Sequence, residues 1–297
     1  MTMEKTIMTA EPPTFHPNPS KPAYVPPAGA VDAHCHVFGP AARFPYAPER
    51  KYTPTDAPKE MLFSLRRHLG FTRSVIVQAS CHGRDNAAMI DALEAEPETT
   101  RGVAVVAPSV SDEDLQMMDR AGVRGVRFNF LKRLVDTAPR DDFQRIAERV
   151  AELGWHVVVY FEMQDLPELE PFLRGLPTTV VVDHMGRPDV AAGVDAAPFR
   201  AFVDMLEDEK FWVKVGCPER LTVEGPPYHD VAPFARNLVE TYSDRVLWGT
   251  DWPHPNMKSH IPDDGLLVDL IPSIAPTPDL QRKLLVANPS RLYWGEM

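Results

Sequence analysis

Two histidines one residue apart, His34 and His36 in VDAHCHVFGP (31–40), follow Asp32 at the end of a short apolar run. In an extended strand alternate side chains share a face, so the two imidazoles look one way and Cys35 the other. Imidazoles that converge can ligate a metal, carry protons or polarise a bound oxygen. Further reactive side chains recur along the chain. Ser80 and His82 stand in QASCHGRDN, and Arg127 and Asn129 in VRGVRFNF, with Lys132 and Arg133 just after. Tyr160 and Glu162 close YFE, His184 and Arg187 stand in DHMGRP, and Arg220 in CPERL. Asp251, His254 and Asn256 lie in GTDWPHPN, and Tyr52 in the Pro- and aromatic-rich segment 38–55.

Position along the chain gives these residues a common address. β-rich runs at 30–37, 73–79, 101–107, 123–130, 155–162, 178–184, 211–216 and 245–251 are mostly continuous in Val and Ile, as parallel strands covered on both faces should be. Helical patterns fill the gaps. TDAPKEMLFSLRRHLG has a cap-like start and ends in Gly70; SDEDLQMMDRAG runs from a capping Ser111 to Gly122; PRDDFQRIAERVAELG stops at Gly154; PDLQRKLLVANPSRLYW closes the chain. Eight such alternations predict a (β/α)8 TIM-type barrel, and no Gly-x-Gly-x-x-Gly follows the first strand to favour an open doubly wound sheet. Each reactive residue then falls at the C-terminal end of a strand, where barrels of this kind place their active sites. The segment 38–55 should lie over the mouth.

The domain reading is a Pro-rich N-terminal extension over 1–27 and a single barrel domain over 28–297. A formal net charge of −11 opposes nucleic acid and anionic membrane as partners. No apolar run is long enough to span a bilayer, and the first thirty residues lack the apolar core of a secretory signal. Cys35, Cys81 and Cys217 are far apart and form no C-x-x-C, which fits a reducing cytoplasm. Neither Cys35 nor Cys217 has a dedicated base partner visible in the sequence, which argues against a thiol nucleophile. His156, next to Trp155, reads as core.

Taken as a set, DAHCHVFGP, QASCHG, RGVRFNFLKRLVD, VDHMGRPD and WGTDWPHPN resemble the amidohydrolase superfamily, and within it the 2-pyrone-4,6-dicarboxylate lactonase branch. The resemblance runs from about residue 20 to the C-terminus. It implies hydrolysis of a lactone from lignin-derived aromatic catabolism, without metal. Binuclear amidohydrolases bridge their ions with a strand-four Lys or Glu. Here Arg127 stands there and cannot ligate, so two ions are not expected. One Zn2+ on His34, His36, His184 and Asp251 remains chemically possible, although nearby arginines disfavour a divalent cation.

Arg127, Arg133, Arg187 and Arg220 are expected to converge on the mouth, where guanidinium forks suit a substrate with two or more carboxylates. Tyr160, Ser80, Tyr52, His82 and Asn256 complete the expected binding set. Asp251 is expected to act as general base toward water, with His34, His36 and His184 stabilising the developing oxyanion. The alternatives are a lactonase for another anionic ring such as 4-sulfomuconolactone, a metal-dependent decarboxylase of the same superfamily, and a non-catalytic binder of aromatic acids.

Overall fold

Runs such as Val157–Val159 and Val180–Val182 offer no polar face, and both of their faces are buried. The computed structural model describes residues 12–131, 133–135 and 138–296; Lys132 and the first eleven residues of the extension lie outside that set. Eight parallel strands pair in chain order. They are β1 (Val31–Cys35), β2 (Arg73–Val77), β3 (Thr100–Ala104), β4 (Val123–Asn129), β5 (His156–Tyr160), β6 (Val180–Val182), β7 (Phe211–Lys214) and β8 (Val246–Leu247). The ring closes from β1 to the end of β8 through Ala33 N–H to Trp248 O (2.9 Å) and His36 N–H to Trp252 O (2.7 Å). Gly249 permits this closure: a Cβ there would lie 2.3 Å from the His34 nitrogen.

Helices α1 (Lys59–Leu69), α2 (Ala87–Ala95), α3 (Asp112–Ala121), α4 (Arg140–Glu152), α5 (Leu166–Gly175), α6 (Ala197–Met205) and α7 (Ala232–Thr241) connect successive strands. Ser111 Oγ accepts from the Asp114 N–H at 3.0 Å, the cap expected of α3. The start of α1 differs from expectation. Pro58 precedes it without a side-chain cap, because Asp56 instead accepts from Ala41 N–H and the Tyr46 hydroxyl, pinning the 38–55 segment. α8 (Asp264–Asp269) and α9 (Ile271–Ile274) lead to the C-terminal run, which is helical throughout 278–294 as expected but changes pitch: α10 (Pro278–Arg282) passes into wide turns at Lys283–Ala287 and Ser290–Trp294, joined through helical Asn288 and Pro289. Those turns carry Tyr293 into the barrel floor.

Inside the ring, Val31, Ala33, Val75, Val77, Val103, Val158, Val181, Trp212, Leu247 and Tyr293 form an apolar plug. A larger apolar layer fills the space between strands and helices. Two residues beyond the plug, the strands place Tyr160, Asp183 and Lys214 on the same inward face. β1 needs a further device. Asp32 pairs with Ser74 but Cys35 with Ile76, so β1 carries one extra residue there. That bulge lets Ala33 and His34 both face inward and carries His36 with them.

The described part of the extension lies on the body. Phe15 is buried with its ring 5.4 Å from Trp252, Thr14 Oγ1 donates to Pro253 O, and Ser20 bonds Asp263. His68, on α1, bonds the carbonyls of Pro19 and Ser20. Among the described residues no helix is long and apolar enough to cross a membrane.

Candidate active site

Asp251 sits at the centre, with positive φ (61°) and its N–H bonded to His34 O at 2.8 Å. Its Oδ1 lies 3.1 Å from His36 Nε2, 3.4 Å from His34 Nε2 and 3.9 Å from His184 Nε2. Its Oδ2 receives Nε and Nη2 of Arg220, both at 2.6 Å. The neighbouring carboxylate, Asp183, receives Nε and Nη2 of Arg127 on Oδ2 at 2.9 and 2.8 Å. Its Oδ1 lies 3.1 Å from Lys214 Nζ and 3.2 Å from His34 Nδ1. All these side chains are nearly inaccessible to solvent, except Arg127 and Arg220, which reach the cavity wall.

Left-handed backbone at several non-glycine residues makes this crowding possible. His184, Met185, Arg187, Cys217, Asp251, His254 and Asn256 all have φ between 52° and 67°, and all follow a strand end. Such conformations cost about 1 kcal/mol or more each and cluster where structure serves function. At His184 the turn allows two consecutive residues, Asp183 and His184, to face the site.

Opposite charges decide the ionisation. Burial pushes Asp251 up, but Arg220, the bond from His36 and the other imidazoles outweigh it, holding the carboxyl well below its ordinary range. Asp183 is likewise held well below its range, against burial, by Lys214, His34 and Arg127. His34 is lowered to about 3, by burial first and then by Lys214, and His184 is lowered well below its ordinary value by burial and then His34. Two carboxylates and the neutral imidazoles of His34 and His184 therefore face one another. His36 Nδ1 meets the Val77 carbonyl at 2.7 Å, an acceptor only, so that nitrogen donates.

A small cavity opens above this cluster, lined by His36, His184, Asp251, Arg127, Arg220 and Tyr160, with Tyr52, Ser80 and Asn256 at its sides. The fold model for amidohydrolases matches residues 31–294. The chain belongs to the amidohydrolase family. It is 63% identical over 291 residues to the 2-pyrone-4,6-dicarboxylate hydrolase of Comamonas testosteroni, covering 95% of each chain. It is 39% identical to the 4-sulfomuconolactone hydrolase of Rhizobium radiobacter, covering 90% of each. Its fold superposes with a TM-score of 0.79 on a probable 2-pyrone-4,6-dicarboxylic acid hydrolase of Acinetobacter baumannii solved with citric acid bound, at 27% identity, over 90% of this chain and 99% of that one.

For an amidohydrolase the question of a metal is immediate. His34, His184 and Asp251 place three donor atoms within 4.8 Å of one another, but the surroundings suit a divalent ion poorly. A metal-bound imidazole normally gives its second N–H to an acceptor; His34 Nδ1 has Asp183 Oδ1 at 3.2 Å but also the Lys214 ammonium 3.0 Å away, a cation that opposes a divalent ion on the same ring. Arg220 occupies the second oxygen of Asp251, and His36 uses Nδ1 on Val77 and Nε2 toward Asp251. Arg127, Lys214 and Arg220 set three cations against the two carboxylates Asp183 and Asp251. No step below passes through a metal.

This amidohydrolase departs from the expected set in its arginines. The forks of Arg127 and Arg220 border the cavity but already grip Asp183 and Asp251, because a buried guanidinium needs a counter-ion when no anionic guest is bound. Arg187 is not among the residues that line the cavity: it donates to the hydroxyl of Tyr160, which does line it, at 3.1 Å and faces Glu162 at 3.8 Å. Arg133 pairs with Glu162 at 3.5 Å and faces a separate cleft, so it is not brought to the cavity. Nor is His82: its Nε2 accepts from Gly39 N–H and its ring packs on Tyr46, which fixes the 38–55 segment. Tyr52 bonds with Ser80 and Cys81, and Tyr160 packs edge-on against His184 with Arg127 over its ring. His156 is buried against Tyr293 in the floor.

Sequence reasoning passed over Asp183, Lys214 and the supports of Asp251. Lys214 had a visible signal, a lone cation inside the apolar run FWVKVG. Asp32 accepts from Thr250 N–H, Thr250 Oγ1 and His34 N–H, locking β1 to the Asp251 turn. His254 is clamped between Glu219 (3.3 Å) and Asp264 (3.2 Å), and these carboxylates overcome burial to raise it to about 10.

Proposed function

We propose that this amidohydrolase opens 2-pyrone-4,6-dicarboxylate with water to 4-carboxy-2-hydroxymuconate (4-oxalomesaconate), without metal. The observation that carries the reading is the placement of one ionised carboxylate, Asp251, against three imidazoles beneath a cavity walled by Arg127 and Arg220. The 63% identical relative supports the choice of lactone. The substrate is a flat ring with two carboxylates. Nη1 of Arg127 and Arg220, the nitrogens not committed to Asp183 and Asp251, are the cationic donors left for it. Ser80, Tyr52, Asn256 and Tyr160 add polar contacts at the cavity sides.

Water between Asp251 Oδ1 and the imidazoles attacks the lactone carbonyl. Asp251, kept ionised by Arg220, takes the proton as the oxygen–carbon bond forms and the water becomes acidic. His34 and His184 donate to the oxyanion. Collapse expels the ring oxygen as an enolate, a far better leaving group than an amine, so no Lewis acid is required. Buried, unbridged Cys35, Cys81 and Cys217 support a reducing cytoplasmic setting, and the substrate belongs to the breakdown of lignin-derived aromatics.

Ultraviolet assays with 2-pyrone-4,6-dicarboxylate and 4-sulfomuconolactone test this. The expected result is kcat/KM at least about 100-fold higher for the dicarboxylate. Asp251→Asn should lower kcat by roughly 1,000-fold while leaving dicarboxylate binding intact. Preference for the sulfonated ring, or near-normal turnover by D251N, contradicts it.

A further inference from the structure

A lysine in the middle of a barrel needs a reason. Lys214 is 1% exposed, and its strand neighbours two residues apart, Trp212 and Lys214, share the inward face. Its Nζ has two acceptors in reach: Asp183 Oδ1 at 3.1 Å and His34 Nδ1 at 3.0 Å. Asp183 is also the counter-ion of Arg127, so one carboxylate serves two cations. The imidazole therefore receives the surplus positive donor.

His34 has two ring nitrogens and, as a neutral imidazole, one proton. If that proton were on Nδ1 it would confront an ammonium 3.0 Å away, donor against donor. With the proton on Nε2, Nδ1 presents its lone pair to Lys214, and the same ammonium also donates to Asp183 Oδ1 at 3.1 Å, bridging two acceptors that lie 3.2 Å apart. Nε2 is buried and makes no hydrogen bond among the described residues, and it stands 3.4 Å from Asp251 Oδ1. The same nitrogen lies with His184 and Asp251 around a point where an oxygen of water or substrate would fit.

We propose that Lys214 is a positioning residue: its ammonium donates to Nδ1 of His34 and so fixes that imidazole as a neutral Nε2–H donor, directed at Asp251 and at the oxygen that reacts beside it. The cation behind the ring also draws electron density from it and strengthens the Nε2–H as a donor. Lys214 thereby acts on the carbonyl or water through His34, without touching either. The companion histidine is set differently, since His36 Nδ1 must donate to Val77 O. The His-X-His pair thus holds two unlike imidazoles, one oriented by a backbone acceptor and one by a buried donor. The role in turnover rests on the hydrolytic reading above; the tautomer does not.

Nitrogen-15 spectra of histidine-labelled enzyme, with His34 assigned by its loss in His34→Gln, read the tautomer without substrate. The expected spectrum shows pyrrole-type Nε2 and pyridine-type Nδ1 for His34. In Lys214→Met the proton should move to Nδ1 to meet Asp183, while kcat falls roughly 100-fold and KM changes less than about threefold. Lys214→Met/Asp183→Asn, which removes the stranded charge, should also lose the wild-type tautomer. A wild-type His34 with its proton on Nδ1, or with both nitrogens protonated, overturns the proposal even if neither variant folds. An unchanged tautomer or unchanged kcat in K214M overturns it as well.

Discussion

Asp251 receives two guanidinium nitrogens on one oxygen and faces three imidazoles with the other. A carboxylate so placed is always ready but weakly basic. Burial alone would raise it; Arg220, foremost among the opposing groups, lowers it well below its ordinary 3.8. The sign follows directly. Ionised Asp251 persists as pH falls into the usual carboxylate range, so wild-type kcat/KM loses nothing to its protonation there. Arg220→Met removes the main lowering influence and leaves burial to act, so the acid limb of the kcat/KM profile should move to higher pH. An acid limb that stays in place would show that Arg220 does not set this carboxyl. The arginine pairing was not legible in the sequence, because Arg127 and Asp183 are 56 residues apart and Arg220 and Asp251 are 31 apart. Residue type suggested forks for a guest; only the fold shows that each fork has an internal partner.

At the scale of elements, the eight strands could be read because buried parallel strands must be apolar on both faces. The one-residue bulge in β1 could not, since its signal is a shift of pairing against β2. The same holds for the left-handed backbone at His184 and Asp251, residue types that do not announce a positive φ. What steadies those turns is testable. His254, clamped by Glu219 and Asp264, joins the loops after β7 and β8. Raised to about 10 from 6.5, it contributes stability that is fully present below pH 6.5 and is lost as pH rises through 10. His254→Gln should therefore lower Tm most at or below pH 6.5, with the gap to wild type narrowing toward pH 10; a gap that is constant or widens refutes the clamp. The N-terminal extension bears on the same turn through Phe15 and Trp252. Phe15→Ala should cost about 2 kcal/mol in thermal or denaturant unfolding, and no measurable loss would show that the extension merely rests on the surface.

Across the whole molecule, a chain of net charge −11 gathers three cations, Arg127, Lys214 and Arg220, at its centre around Asp183 and Asp251, with Glu219 3.9 Å from Arg220. On the proposed function these guanidiniums and the ammonium both draw in a doubly anionic ring and oppose a divalent cation, so the proposed substrate choice and the proposed metal independence share one electrostatic cause. The most direct measurement is turnover of 2-pyrone-4,6-dicarboxylate by enzyme stripped with chelator, its metal content determined on the same sample. Metal-free hydrolysis predicts full kcat with only trace, substoichiometric metal and no gain on adding zinc. Activity that disappears with the metal and returns in proportion to added zinc would contradict it.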